Sequence, residues 1–308
     1  MAVEYEFIVN PKARSGMGAE TWKMLEPELK KRHIPYSLFL TERRGHAREI
    51  AEGITSDKEE HSIVILGGDG TVNEAVNGIC FPGKVTLGYI PIGSSNDFAR
   101  GLGISKDPLT ALERILSPEK VISMDVGVLA RNGKTRRFAV SAGIGFDAAV
   151  CHEVCVSRWK VILNRLGLGK LSYAAVALDR LIKDRPVRAE ILWDDGKRQI
   201  FEKTYFAAFM NLPYEGGGFR FCPEASPEDG MLDVMVVSGI SRLKILCLLP
   251  TAFSGKHVGF KGVDIVRCRK LTVETDRALP IHTDGEPCFL RRRAEVSILP
   301  EKLRVIVR

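Results

Sequence analysis

The run Gly67-Gly68-Asp69-Gly70-Thr71-Val72-Asn73-Glu74 follows directly on the apolar segment Ile63-Val64-Ile65-Leu66 and leads into a helical pattern near 71–79. A strand that ends in glycines and opens a helix leaves unpaired backbone N–H groups at the helix start, where they attract an anion. Gly67, Gly68 and Gly70 let the main chain approach a phosphate closely, and Thr71 adds a hydroxyl. A plain strand-to-helix turn would explain the glycines but not Asp69. A carboxylate beside a bound phosphate is unfavourable unless a cation or a proton-accepting role offsets it, and Mg²⁺ is the simplest such cation. The run is not a Walker A loop, because no Gly-Lys-Ser/Thr follows, and neither Gly16-Met17-Gly18 nor Gly143-Ile144-Gly145 completes a dinucleotide fingerprint.

A second turn, Pro91-Ile92-Gly93-Ser94-Ser95-Asn96-Asp97-Phe98-Ala99-Arg100, follows the strand pattern Val85 to Ile90 in the same way. In an open α/β sheet, ligands bind beyond the carboxyl ends of the strands, so the two loops would form opposite walls of one nucleotide cleft. Asp97 would bring a second carboxylate there, unless it only caps a helix starting near Phe98.

The chain before about residue 125 alternates short β-rich runs (6–9, 37–40, 62–66, 85–90) with helical patterns near 18–32, 45–55, 71–79 and 107–116, the rhythm of an α/β unit with a largely parallel sheet. Beyond it the runs 136–142, 187–193, 200–209, 232–238, 263–267 and 270–275 dominate, with helical stretches only at 152–183 and 241–253, so a β-rich second domain is expected. The closing segment 294–308 reads as one or two strands able to pair in either domain.

Charged residues make up 27% of the 308 and the net charge is +7, which suits nucleic acid, anionic membrane or phosphorylated substrates without choosing among them. Lysine and arginine are dispersed without a nucleic-acid reading motif, so no nucleic-acid partner is expected. No stretch approaches the roughly 18 apolar residues of a membrane span, and the start lacks a signal-peptide layout, which points to a cytoplasmic address. Seven scattered cysteines without a CxxC pair read as reduced thiols; Cys151 and Cys155 share a helix face but have few partners for a metal.

Asn10-Pro11 with Gly16 and Gly18, then GGDGT, then PIGSSNDFAR resemble the diacylglycerol kinase catalytic family, above all its soluble bacterial lipid kinases. The resemblance continues through Asp125-Val126-Gly127, the run Ser141 to Asp147, Asn211 with Gly216-Gly217-Gly218, Pro223, Asp229-Gly230, Leu232-Asp233 and Asp284-Gly285-Glu286-Pro287, and so covers essentially the whole chain. It implies a nucleotide-binding α/β domain (1–125) related to phosphofructokinase and NAD kinase, and a β-sandwich lipid-substrate domain (126–293). It implies transfer of the γ-phosphate of ATP to a hydroxyl of diacylglycerol or a related lipid. It also implies ATP contacts at Asn10, Thr41, Gly67, Gly68, Asp69, Gly70, Thr71, Val72, Asn73, Ser94 and Asn96. Family members usually carry threonine where this chain has Ser94, which keeps the hydroxyl.

The resemblance further implies a Mg²⁺-linked network of Asp69, Asp97 and Asp125, and a catalytic base on the turn Asp284-Gly285-Glu286. An Asp-Gly pair between β-rich segments would otherwise read as an ordinary hairpin tip, and the sequence does not rank Asp284 against Glu286. A structural Mg²⁺ is implied at the Asp229 side chain with the carbonyls of Ser226 and Met231, in an acidic loop that could also be a solvated turn. For membrane contact, the stretch Val156 to Leu166 mixes cationic and large apolar residues, and Lys244, Lys256 and Lys261 would add a basic rim. A membrane-surface location and room for a homodimer complete the expectation. The competing readings are an NAD kinase, against which PIGSSNDFAR and DGEP stand, and a regulator that keeps the fold without catalysis, against which the intact acidic positions stand.

Overall fold

The structure is a computed structural model that describes residues 4–131, 133–156, 179, 181 and 183–308. The chain runs β1 (Tyr5–Val9), α1 (Met17–Lys31), β2 (Tyr36–Leu40), α2 (His46–Ile54), β3 (His61–Gly67), α3 (Asp69–Gly78), β4 (Val85–Pro91), α4 (Asp97–Leu102), α5 (Pro108–Leu116) and β5 (Val121–Met124). It continues through β6 (Gly127–Arg131), β7 (Lys134–Phe138), β8 (Ser141–Gly145), α6 (Phe146–Val156), β9 (Val187–Trp193), β10 (Arg198–Met210) and β11 (Leu232–Ser238). The last elements are α7 (Arg242–Ala252), β12 (Val263–Cys268), β13 (Lys270–Thr283), β14 (Glu286–Ile298) and β15 (Leu303–Ile306).

The first sheet has the order β2-β1-β3-β4-β15-β5, with every neighbour parallel except β15 and β5. Its strands are apolar on both faces because helices cover both. Phe7, Val9, Val64 and Leu66 pack with Trp22, Leu25, Leu29 and Ile115. Ile8, Ile63 and Ile65, one step along each pleat, pack on the other face with Ala47, Ala51, Val72 and Val76. The return of β15 to this sheet, between β4 and the edge strand β5, ties the chain's last strand to its first unit.

The second sheet has the order β12-β11-β10-β8-β13-β14-β6-β7, and β9 pairs with both β10 and β13. β10 and β13 are long, and each pairs with β9 at its start and with β8 near its end, with register shifts between. Those irregularities let the two strands bend from one layer into the next, around a core that includes Phe138, Ile191, Phe209, Val234, Val273 and Val296.

Two readings of the sequence change here. The run 136–142 is not one strand but the end of β7 and the start of β8, broken at Ala139-Val140, whose N–H groups donate to the Asp284 carboxylate. The helical stretch 152–183 is described at its start, as the end of α6; most of it, and the stretch 156–166 expected to meet a membrane, beyond Val156, lie outside the described residues.

Candidate active site

Because β1 to β4 run parallel, Asn10, Thr41 and the loops that follow Gly67 and Pro91 all leave the same carboxyl edge of the first sheet. The Asn10 Nδ2 group donates to the Thr71 hydroxyl at 3.3 Å, and the Thr41 amide donates to Val9. The glycine loop and the second loop touch main chain to main chain: a Cβ on Gly93 would lie 2.7 Å from the Gly68 Cα. Only glycine permits that approach. The buried Tyr89 hydroxyl, within reach of the Gly67 carbonyl at 3.2 Å and Asn96 Oδ1 at 3.3 Å, pins both loops from below. Asn96 itself adopts a left-handed φ of 51° and donates to the Gly93 carbonyl. Ser94 is exposed at the rim.

Two of the expected nucleotide contacts point elsewhere. The Val72 side chain is buried in the core, which leaves only its main chain at the loop. Asn73 is 1% exposed, and its amide donates to Asp284 Oδ2 at 2.7 Å and accepts from Arg136 at 3.2 Å. It joins the two sheets rather than facing the cleft.

The Asp69 carboxylate accepts the N–H groups of Asp97 and Phe98 at 3.1 Å each, at the start of α4. Desolvation and the neighbouring Asp97 charge nevertheless push it up to about 7, with Asp284 adding to the rise. Asp97 is also raised, by desolvation, although Gly217 N–H and Arg100 both hold its charge. Two mutually repelling carboxylates at the carboxyl edge of the first sheet are the donor type a hard divalent cation takes, and a cation there would share their oxygens with the Asp97, Phe98 and Gly217 N–H groups and with Arg100.

Asp125 does not join them. Its Oδ2 accepts the Gly230 N–H at 2.6 Å, its Oδ1 lies 2.9 Å from Lys302 Nζ, and its amide donates to the Pro227 carbonyl. The charges acting on Asp69 are those of Asp97 and Asp284, and Asp125 instead braces the loop that carries Ser226, Asp229 and Met231. In that loop Asp229 accepts the Met231 N–H at 2.9 Å and forms an ion pair with Arg267. The acidic charge therefore already has a protein counter-ion.

The turn between β13 and β14 reaches the first sheet. Asp284 accepts four N–H groups, from Ala139, Val140, Ser141 and the Asn73 amide, at 2.7 to 3.0 Å. Its oxygens are saturated, and desolvation still holds its pKa above the usual carboxylate value. Glu286 is different: its Oε1 lies over Gly70, where an added Cβ would meet it at 3.2 Å, and its other oxygen pairs with Arg44. The second sheet thus places one saturated carboxylate and one accessible carboxylate at the cleft.

Several participants escaped the sequence reading. Tyr89 looks like an ordinary buried strand residue, and Arg44 and Arg136 sit outside any motif. Asp147, Glu215 and His282 lie at the edges of the motif runs, yet they converge behind the turn.

Residues 4–129 match the diacylglycerol kinase catalytic domain family, and residues 139–307 match the YegS C-terminal NAD kinase beta sandwich-like domain family. The Bacillus subtilis (strain 168) protein YtlR, which carries the name of a lipid kinase, is 32% identical over 91% of this chain and 92% of its own. A protein named diacylglycerol kinase from Mycobacterium tuberculosis (strain ATCC 25618 / H37Rv) is 32% identical over 81% of this chain and 77% of its own. In fold, a crystal structure of a diacylglycerol kinase-type protein from Bacillus anthracis str. Sterne superposes with a TM-score of 0.78 at 24% identity, covering 99% of this chain and 97% of that one.

Proposed function

The chain belongs to the diacylglycerol kinase family and is an ATP-dependent lipid kinase, and on that premise we propose that Glu286 takes the proton from the acceptor lipid hydroxyl as the γ-phosphate is transferred. The observation that carries this assignment is the position of the Glu286 carboxylate over Gly70, where a Cβ added to that loop would meet it at 3.2 Å. A base must lie within hydrogen-bond reach of the attacking hydroxyl while that oxygen points at the phosphorus. Asp284, with four N–H groups on two oxygens, has no such freedom and instead anchors the turn.

The triphosphate lies along Gly67 to Thr71 in this reading, with the N-terminus of α3 facing its charge. Asn10 orients Thr71, and Arg44 holds Glu286 at the rim. Asp69 and Asp97 would hold Mg²⁺, which when bound neutralises charge on the phosphates. Asp125 supports the Asp229 loop from behind, where a second cation would have to compete with Arg267.

An acceptor lipid lives in a bilayer, and among the described residues no helix is long and apolar enough to cross one. Residues 241–261 supply a docking face. They contain Arg242, Lys244, Lys256 and Lys261 and no acidic residue, and Leu243, Phe253, Val258 and Phe260 are all exposed, Leu243 at 71%. The face is continuous with the cleft, because Phe253 stacks on Phe219 at 4.1 Å and Gly217, two residues earlier, donates to Asp97. Exposed apolar side chains ringed by cations suit an anionic bilayer.

The test is transfer of labelled phosphate from ATP across a panel of hydroxyl lipids in micelles, with Mg²⁺ present or chelated, for the wild type and Glu286→Gln. Turnover that needs Mg²⁺ and collapses in Glu286→Gln is expected; an unimpaired variant would remove Glu286 from the role of base.

A further inference from the structure

Behind the turn that carries Glu286 lies a group of titratable side chains with no part in the reading above. His282, on β13, has no exposed surface; its Nε2 lies 2.7 Å from Asp147 Oδ2 and 3.0 Å from Glu215 Oε1. Cys151, on α6 with Asp147, brings a thiol into the same group, whose four ligand atoms lie within 4.8 Å of one another. Glu215 is 4% exposed, and its carboxylate is held by the His282 ring at 3.0 Å and by the Ser141 side chain. Room for the cluster comes from Gly143 on β8, where a Cβ would lie 2.3 Å from Asp147 Oδ2 and 2.5 Å from His282 Nε2.

A histidine, a thiol and two carboxylates are a plausible transition-metal set by composition. The other nitrogen of His282 speaks against it. Nδ1 accepts the Gly285 N–H at 3.1 Å, so the ring proton of a neutral imidazole resides on Nε2, the atom a metal would need. A metal-bound histidine does the reverse and donates from its free nitrogen. Although burial disfavours a charged ring, the Asp147 and Glu215 charges hold the His282 pKa well above the ordinary histidine value, so a proton stays on Nε2 between them, and burial with the Asp147 charge raises the Glu215 carboxyl as well. This geometry suits a cluster that holds protons better than one that binds a metal ion, and the groups facing the ring are Asp147 and Cys151 from α6 and Glu215 from the connection after β10.

We infer that His282 is a positioning residue for phosphoryl transfer: through Gly285 it sets the turn that presents Glu286, and Asp147 with Glu215 clamps its ring from behind. This rests on the lipid kinase reading and on Glu286 as base. The ring couples two requirements, an acceptor at Nδ1 and a donor at Nε2, and one side-chain amide can mimic only one of them. His282→Gln reaches the Nε2 position with an N–H and loses the acceptor for Gly285; His282→Asn keeps an oxygen near Nδ1 and loses the clamp.

The experiment measures kcat, KM for ATP and thermal stability for both variants and Glu215→Gln, together with metal content of the wild type by mass spectrometry. His282→Gln is expected to lose about tenfold or more in kcat with KM for ATP within about threefold, His282→Asn to retain more kcat than the Gln variant, and the wild type to carry no stoichiometric metal. A Gln variant with wild-type kcat and unchanged stability overturns the positioning role, as does about one zinc ion per chain that Glu215→Gln loses. Should neither His282 variant fold, Glu215→Gln decides: lowered kcat at unchanged KM supports the clamp, and wild-type kcat overturns it. A wild type without turnover on any lipid sinks the kinase reading itself, a result distinct from an indifferent Gln variant.

Discussion

Gly70 and Glu286 meet across the two sheets, so close that a single methyl on Gly70 would lie 3.2 Å from the Glu286 carboxylate. A side chain at position 70 would thus press on the carboxylate that the proposed mechanism uses as base. Gly70→Ala should displace Glu286 slightly, because the carboxylate end of a glutamate can swing, and so lower kcat by roughly three- to tenfold with little change in melting temperature. Glu286→Gln should lower kcat by about a hundredfold or more while ATP affinity stays within a few-fold, since the lost group acts on the acceptor proton. Steady-state kinetics with ATP and a micellar lipid decide it; a Gly70→Ala enzyme slower than Glu286→Gln would show that the loop, not the base, dominates.

Asp284 should behave oppositely to Glu286. Its oxygens accept four N–H groups that tie β7, β8 and α3 to the turn. Asp284→Asn sets an NH₂ group against some of those donors, so a stability loss of about 2–4 kcal/mol is expected, with turnover falling in step with folding. Denaturant unfolding beside an activity assay tests this: a fully stable Asp284→Asn protein without turnover would return Asp284 to direct catalysis.

Asp69 gives a pH prediction whose sign follows from its raised pKa of about 7. An unfolded aspartate ionises near 4, so the fold favours the protonated carboxyl, and that contribution is lost as pH rises from about 4 through 7. Asp69→Asn cannot ionise. Its melting temperature relative to wild type should therefore climb between pH 5 and pH 8, by an amount equivalent to at most about 3 kcal/mol. Turnover should be nearly abolished throughout, and a variant that keeps more than about a tenth of the wild-type rate would end the cation-holding role.

The α/β order was legible because the central parallel strands β3 and β4 are nearly continuous apolar runs and each is followed by a loop that contains glycine. Residues Ile63 to Leu66 with Gly67 to Glu74 carry both signals within one segment. β5 and β6 escaped, being short and interrupted by Asp125-Val126. The site was legible as a set of loops but not as roles: Asp284 and Glu286 stand two residues apart, and what separates them is donors from Ala139 to Ser141, about 145 residues away. The sequence likewise groups Asp125 with Asp69 and Asp97 and gives no sign of Lys302 and Gly230, which reach it only through the fold.

The docking face makes a claim separable from catalysis. Phe253→Ser with Phe260→Ser, or Lys244→Glu with Lys261→Glu, should weaken co-sedimentation with vesicles containing phosphatidylglycerol, and the charge pair should do so more strongly at low salt. Turnover of a short-chain lipid dissolved as monomer should persist, because none of these side chains lies at Gly70 or Asp69. Unchanged vesicle binding, or a gel-filtration shift showing that the face joins two copies of the chain, would remove the bilayer as its occupant.

The Asp229 loop poses a competition between a metal ion and an arginine. Arg267 pairs with Asp229 and approaches Asp233 at 3.7 Å, while burial, with Asp229 and Glu224 adding to it, pushes Asp233 up to about 6. A cation binding through the Asp229 side chain with the Ser226 and Met231 carbonyls must displace the guanidinium or share the carboxylate with it. Binding to the folded state alone raises stability with the logarithm of ligand concentration, so added Mg²⁺ should raise the melting temperature of the wild type. Arg267→Ala, which leaves the acidic loop without its counter-ion, should lower stability in chelator and show a larger Mg²⁺-dependent rise than the wild type. Asp229→Ala should show almost none. Thermal shifts that ignore Mg²⁺ in both the wild type and Arg267→Ala would mean that the loop is held by its ion pair alone, with Asp125 and Lys302 bracing it from beneath.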